Sequence, residues 1–156
     1  TRRQRQMCIR DSYVNSYRRY VKDHAAPINL EWARDNRTTG IRVPLSSNSA
    51  RRVENRLAGM DCNPYLGIAI SLACGYLGIK NEIRPSKQFR GDAYEGAEDI
   101  PRGLGSALDL FEEATPLHKI LGTEFCRVYS IVKRAEHEEF LQVISPWERE
   151  HLLLNV

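Results

Sequence analysis

Between Asn63-Pro64 and Lys80-Asn81-Glu82 runs a stretch, Tyr65 to Ile79, without a single charged side chain. Asn is a strong helix cap and Pro suits the first helical turn, so this stretch predicts a helix with a fixed start. A membrane span needs about 20 apolar residues, and Lys80 and Glu82 end the run short of that, so a buried core helix is expected. Gly67, Ser71 and Gly75, four apart, would let another element approach closely. More helices follow: Gly105 to Ala114 with Ser106 as its cap, and Pro116 through Leu121. A long one runs from Gly122-Thr123-Glu124 to about Val143, with Phe125, Val128, Val132, Phe140 and Val143 near one side.

Upstream of Asn63 the period changes. Ile28, Leu30 and Trp32 alternate with Asn29, Glu31 and Ala33, and Gly40 introduces Ile41-Arg42-Val43 after a Thr-Thr-Gly turn. Ser46 to Ser49 is a loop by composition, and a strand carrying Arg52 comes after it. A strand puts residues two apart on one face, so Arg52, Glu54 and Arg56 would present guanidinium, carboxylate and guanidinium in a row. Arg19, Arg37 and Arg42 lie in the same stretch, and Arg suits a bidentate grip on phosphate or carboxylate. Convergence of these forks would make a site for a phosphorylated, polyanionic substrate. The competing reading is a solvated face with cross-strand ion pairs, each contributing about 0.2–1 kcal/mol. Arg37 and Arg42 are an odd number of residues apart, so they converge only if the intervening turn re-aims one of them.

Charge follows the same division. Residues 1–14 carry +3, residues 15–56 carry +5 and residues 57–156 carry −5, for a net +3 over 156 residues. Basic charge therefore concentrates where the anion site is expected. A nucleic-acid-binding module, with Tyr13, Tyr17, Tyr20 and Trp32 as stacking partners, is an alternative that the near-neutral balance after Ser12 argues against.

The wording of this stretch carries more. Asn15-Ser16-Tyr17-Arg18-Arg19, Ala26-Pro27, Asn36-Arg37, Ile41-Arg42-Val43-Pro44, Arg51-Arg52-Val53-Glu54-Asn55-Arg56 and Asn63-Pro64-Tyr65-Leu66 resemble, in order and spacing, the C-terminal half of the glutamine synthetase catalytic domain. The resemblance implies an α+β fold, with antiparallel strands forming part of an active-site barrel and helices after them. It implies an ATP-dependent ligase that phosphorylates the side-chain carboxylate of glutamate and lets an amine displace the phosphate. Arg19 and Arg56 would hold glutamate, and Arg37 would sit catalytically at the transferred phosphoryl. Arg37, Arg42 and Arg52 would contact ATP phosphates, and Glu54 would ligate Mg²⁺ or Mn²⁺.

One departure is informative. Glutamine synthetases carry a flap Glu just before the Ala-Pro that corresponds to Ala26-Pro27, where it shields the acyl phosphate and helps bind and deprotonate ammonium. Ala25 stands there in this sequence. Losing that carboxylate removes charge suited to a small cation and makes room for a larger nucleophile. Asn36 to Pro44 and the ending Ile144 to Glu150 likewise resemble the branch that joins glutamate to polyamines, the γ-glutamylputrescine synthetase type. Ligation of glutamate to an organic amine is therefore the expected activity, with ammonium-using glutamine synthesis as the alternative. A catalytically dead family member is disfavoured by the retained Arg and Glu side chains.

The resemblance covers residues 13–156 as the C-terminal portion of the domain, with the N-terminal half missing, so the site is expected to be incomplete and the chain alone inactive. Residues 1–12, with Met7-Cys8-Ile9-Arg10-Asp11-Ser12, read as an adapter-derived tail, not a signal peptide, for which the apolar core is missing. Cys62, Cys74 and Cys126 form no CxxC pair and suit reduced thiols in a cytoplasmic protein without membrane or nucleic-acid partners. His118, His137 and His151 have no ligand spacing and read as structural or solvated. Tyr94, in the polar Pro85 to Pro101 loop, falls near a tyrosine that some family members adenylylate, but its surroundings differ and an ordinary exposed tyrosine is expected. Trp147 to Val156 is apolar enough to dock on a neighbour, and the family implies a ring-stacked homo-oligomer.

Overall fold

Asn29 organises the strand-bearing end of the molecule. The computed structural model describes residues 13–96 and 100–154, and the expected tail, residues 1–12 with Cys8, lies outside them. Asn29 is buried and spends its full amide capacity. Its Nδ2 donates to the carbonyls of Thr38 (2.9 Å) and Ala93 (3.2 Å), and its Oδ1 accepts from the N–H groups of Glu31 (3.2 Å) and Gly40 (3.3 Å). Three chain segments are thereby tied to one side chain. Gly40 sits so close that a Cβ there would lie 2.4 Å from the Asn29 carbonyl oxygen, so only glycine fits.

Around this tie lies a three-stranded sheet of short strands, β1 (Trp32–Arg34), β2 (Ile41–Val43) and β3 (Glu54–Asn55), in that order. β2 and β3 pair antiparallel, as expected, with Arg42 opposite Glu54. β1 and β2 pair parallel, with Ala33 opposite Arg42. The turn between them makes this possible. Asp35 takes a left-handed conformation (φ 48°), the Asn36 Oδ1 accepts from the Thr38 N–H (2.9 Å) and hydroxyl (2.8 Å), and buried Thr39 donates back to the carbonyls of Asn36 and Ile41. The expected strand at Arg52 is shorter than the alternation suggests. Arg52 lies before β3, exposed, with Nη1 3.4 Å from the Ala50 carbonyl.

The 86–93 segment is exposed at Ser86, Lys87 and 90–92, half-buried at Gln88 and Phe89 and buried at Ala93, and it is strapped down. Trp32 Nε1 donates to the Ser86 carbonyl (2.8 Å), the Phe89 N–H to the Trp32 carbonyl (3.0 Å), Asn36 Nδ2 to the Gly91 carbonyl (2.9 Å) and the Ala93 N–H to Thr38 Oγ1 (2.9 Å). This strap walls one side of the candidate site.

The helices form the other half: α1 (Pro64–Lys80), α2 (Leu104–Glu112), α3 (Thr115–Leu121), α4 (Thr123–Leu141) and α5 (Pro146–His151). α1 starts as predicted, its Asn63 side chain accepting from the N–H groups of Tyr65 (3.0 Å) and Leu66 (3.3 Å). Its burial differs from expectation. Ile70, Ala73 and Leu77 are buried, whereas Tyr65, Ile68, Leu72, Tyr76 and Ile79 are exposed. Apolar residues go all the way round this helix, and the described residues cover one side of it. Gly67 and Gly75 receive no close neighbour element: a Cβ on Gly67 would meet Cys62 Sγ at 3.5 Å and one on Gly75 would meet nothing within 4 Å.

The core links Tyr17, Tyr20, Ile28, Leu30 and Leu57 on the strand side to Ile70, Leu104, Leu108, Phe111 and Leu117 on the helical side. α2 begins at Gly103, and Ser106 does not cap it but donates to the Gly103 carbonyl (3.0 Å). α4 faces the core with Cys126, Ser130 and Lys133, and Phe125, Val128, Val132, Phe140 and Val143, read as near one side, are exposed. An ion cluster fixes its rotation: Arg134 reaches Asp109 (2.6 Å) and Glu112 (2.8 Å) on α2. His118 packs against Phe111 with ring centroids 5.0 Å apart, and His151 stacks on Trp147 at 4.7 Å, both structural as read. Cys62, Cys74 and Cys126 are free thiols. Among the described residues no helix is long and apolar enough to cross a membrane.

α5 opens with a reciprocal cap. The Ser145 hydroxyl accepts from the Glu148 N–H (3.2 Å), and the Glu148 carboxylate accepts from the Ser145 N–H (2.7 Å). These bonds hold the Glu148 carboxyl below the ordinary glutamate range. A depressed carboxylate supports the fold above the unfolded pKa and loses that support as pH falls through the folded one, so α5 should fray on acidification. A carboxyl NMR titration should give Glu148 a midpoint below that of ordinary glutamate, raised part of the way back by Ser145→Ala, which removes the hydroxyl and keeps the backbone N–H. Equal midpoints in the two proteins would refute the cap.

Candidate active site

Six arginines, Arg19, Arg34, Arg37, Arg42, Arg56 and Arg90, lie with Asp35 and Glu54 at the strand end. Arg42 on β2 bridges two carboxylates, Asp35 in the turn and Glu54 across the ladder, with Nη1 2.9 Å from Glu54 Oε2. Its guanidinium is held charged above its ordinary range, first by the hydrogen bond it donates to Asp35, with burial opposing. Glu54 is shared, its other oxygen lying 3.4 Å from Arg56 Nε. Arg56 continues to the loop before β1, where Nη2 donates to the Ala25 carbonyl at 2.9 Å. Arg19, at the end of a 3₁₀ turn (Val14–Arg19), lies over the Tyr20 ring (4.5 Å) and donates to the carbonyl of Leu57, the residue after Arg56. Tyr20 donates to that same carbonyl at 2.6 Å. One aromatic ring thus fixes Arg19 beside the Arg56 backbone.

On the other side of Arg42 opens a cleft of about 690 Å³ lined by Arg34, Asp35, Asn36, Arg37, Arg42, Phe89 and Arg90. The turn does what the odd spacing required: Arg37 and Arg42 line one cavity. The sequence reading missed Arg34, Asp35 and Arg90. Asp35 was legible as a near neighbour of Arg42, but Arg90 reaches the cleft only because the 86–93 strap docks on β1, which no local pattern announces. Of the expected residues, Arg19, Arg42, Glu54 and Arg56 form one cluster and Arg37 shares the cleft with Arg42, while Arg52 lines neither.

Two N–H groups decide what the cluster fits. Arg42 Nε and Arg56 Nη1 are buried and lack a hydrogen-bond partner. A buried guanidinium nitrogen without an acceptor is costly, and a carboxylate or phosphate oxygen is the acceptor that matches it. A divalent cation fits these residues poorly. No three His, Cys, Asp or Glu side chains converge among the described residues; each oxygen of Glu54 already faces a guanidinium, and Asp35 is paired with Arg42.

The chain belongs to the glutamine synthetase family: residues 3–152 match the model described as "Glutamine synthetase, catalytic domain". Enzymes of this family are ATP-dependent glutamate ligases that use divalent metal ions. The chain is 36% identical to a glutamine synthetase of Methanocaldococcus jannaschii over 91% of its own length and 33% of the relative's. It is 37% identical to a glutamate–isopropylamine ligase of Pseudomonas sp (86% of this chain, 30% of the relative) and 36% identical to γ-glutamylputrescine synthetase of Escherichia coli K12 (91% and 30%). A solved structure titled "Apo GmaS without ligand" superposes with a TM-score of 0.81 at 30% identity, over 97% of this chain and 35% of that one. The chain spans about a third of the length of the relatives it matches.

Proposed function

We propose that residues 13–156 form the C-terminal portion of a ligase catalytic domain that joins glutamate, through a γ-glutamyl phosphate, to an organic amine. The observation that carries the reading is the position of Ala25. Its carbonyl is gripped by Arg56, so the residue without a carboxylate stands beside the guanidinium proposed to hold glutamate. Relatives named for isopropylamine and putrescine support an organic nucleophile.

In this reading Arg56, through Nη1, and Arg19 bind glutamate carboxylate oxygen. Arg37 and Arg42, with Arg34 and Arg90 on the facing wall, hold the ATP phosphates. The γ-carboxylate oxygen attacks the terminal phosphorus and ADP departs. The amine nitrogen then attacks the acyl carbon, the carbon–oxygen bond to phosphate breaks, and the amine gives up a proton. Fixed guanidinium donors around the transferred group stabilise charge that spreads over its oxygens, the usual source of rate in phosphoryl transfer. Glu54 serves a metal only with ligands from outside the described residues. Arg52 keeps a phosphate contact in this proposal only if it swings in from its exposed place. A ring-stacked homo-oligomer in the cytoplasm is part of the same proposal, by family resemblance.

The test takes the full-length enzyme carrying this sequence and follows phosphate release from ATP with glutamate and Mg²⁺. Ammonium, isopropylamine, putrescine, spermidine and ethanolamine are compared. Release driven by an organic amine and not by ammonium is expected. Release driven by ammonium alone would return the enzyme to glutamine synthesis.

A further inference from the structure

Three consecutive backbone carbonyls in the loop before β1 are each held by a side chain from elsewhere. The Tyr94 hydroxyl donates to the carbonyl of His24 and, at 3.0 Å, to that of Ala26. Arg56 Nη2 donates to the one between them, Ala25. Tyr94 is therefore not the ordinary exposed tyrosine the sequence suggested. It is half-buried, on a 3₁₀ turn (Ala93–Glu95) anchored by the Asp92 side chain, and by Asn29 and Thr38 through Ala93. Burial lifts its pKa above the tyrosine range despite nearby Arg56, so the hydroxyl keeps its proton and stays a donor.

Ala26 is buried at the core end of this loop and the His24 N–H reaches the Val21 carbonyl at 3.4 Å, but the stretch before Ala26 has little else to fix its shape. Val21 to Ala25 are exposed, and Asp23 adopts a left-handed conformation (φ 63°) that is uncommon for a residue with a side chain. Arg56 in turn depends on the loop: of its three nitrogens, one faces Glu54, one holds Ala25, and Nη1 is left for a ligand.

We infer that Tyr94 is a positioning residue, which clamps the loop 24–26 onto Arg56 and so fixes the direction in which Arg56 presents Nη1 to the substrate carboxylate. The inference rests on the reading of Arg56 as a glutamate-binding residue. It assigns Tyr94 a role in substrate binding that needs no covalent modification.

The test begins with the 156-residue chain and its Tyr94→Phe variant, which keeps the ring and loses the donor. Trypsin cleavage after exposed Lys22 in the loop is followed by mass spectrometry. Losing the clamp should speed that cut about fivefold while cleavage after Lys80, at the end of α1, changes by less than about twofold. An unchanged rate at Lys22 overturns the clamp. If cleavage instead accelerates everywhere, the variant has unfolded and the wild-type chain decides. Acetylation of its tyrosines by N-acetylimidazole should be several-fold slower at Tyr94 than at exposed Tyr65 and Tyr76, and equal rates overturn the proposal. In the full-length enzyme, Tyr94→Phe should raise KM for glutamate about threefold or more with kcat within about twofold, a split that loss of general packing would not give. An unchanged KM beside a faster Lys22 cut overturns the positioning of Arg56. Absence of ligase activity in the wild-type enzyme would instead strike the functional reading and leave the cleavage result standing.

Discussion

Replacing Ala25 with Glu raises the ratio of kcat/KM for ammonium to kcat/KM for an organic amine by about tenfold. The new carboxylate would extend from the residue whose carbonyl Arg56 already grips. Two opposite unit charges about 4 Å apart attract by roughly 4 kcal/mol at an effective dielectric near 20, and most of that is offset by desolvating a small, strongly hydrated cation at an exposed loop. A residue of about 1.4 kcal/mol is one factor of ten. The longer side chain also occupies the space that Ala25 leaves for a bulkier nucleophile, so KM for the organic amine should rise. Ala25→Gln separates the two effects, having the same size without the charge, and should weaken amine use without improving ammonium use. A ratio unmoved by Ala25→Glu would show that the loop position does not select the nucleophile.

The largest loss of stability is expected from Asn29→Ala. Asn29 satisfies two carbonyls and two N–H groups at once, in a buried setting where water cannot take over without opening the structure. An unmet buried polar group costs about 1–3 kcal/mol, so removing this hub should destabilise by roughly 3–5 kcal/mol. The effect should appear as a lower urea midpoint with little change in slope. Because Asn29 also holds the Ala93 carbonyl, the strap at 86–93 should loosen first, and hydrogen exchange there should rise ahead of global unfolding. A loss below about 1 kcal/mol would mean that the three segments hold together without it.

Local signals in the sequence were readable because their physics is local. Asn63 caps α1 through the two N–H groups next in the chain, and the Thr-Thr-Gly turn brings Arg37 and Arg42 to one cleft as the odd spacing demanded. Faces were less readable. α1 has apolar side chains all round, so periodicity could not say that Ile70, Ala73 and Leu77 would be covered while Ile68 and Leu72 were not. In α4 the ion cluster at Arg134 and the ring packing of Tyr129 on Phe111 (5.8 Å) set a rotation that leaves the larger aliphatic side chains outside. Asn29 was read as the polar partner in an alternating strand, since nothing in its own segment reveals Ala93, 64 residues later. Arg90 was missed, and Tyr94 was read as an ordinary exposed tyrosine, for the same reason: both sit on a loop whose docking depends on long-range hydrogen bonds. The family resemblance supplied the roles proposed for Arg19, Arg37, Arg42, Arg52, Glu54 and Arg56, which composition alone left open between an anion site and a salted surface.

The bridge from Arg42 to Asp35 and Glu54 should make the cleft selective by valence. Its central cation is already paired with two carboxylates through Nη1 and Nη2, so an arriving anion finds only Nε open and must otherwise compete with Asp35 and Glu54. Chloride or acetate brings one charge and cannot repay the displacement of Asp35. A triphosphate brings several, spread along a chain long enough to engage Arg37 or Arg90 before it contests Arg42. Monovalent salt would then act on this cleft mainly by screening, and multivalent anions by substitution.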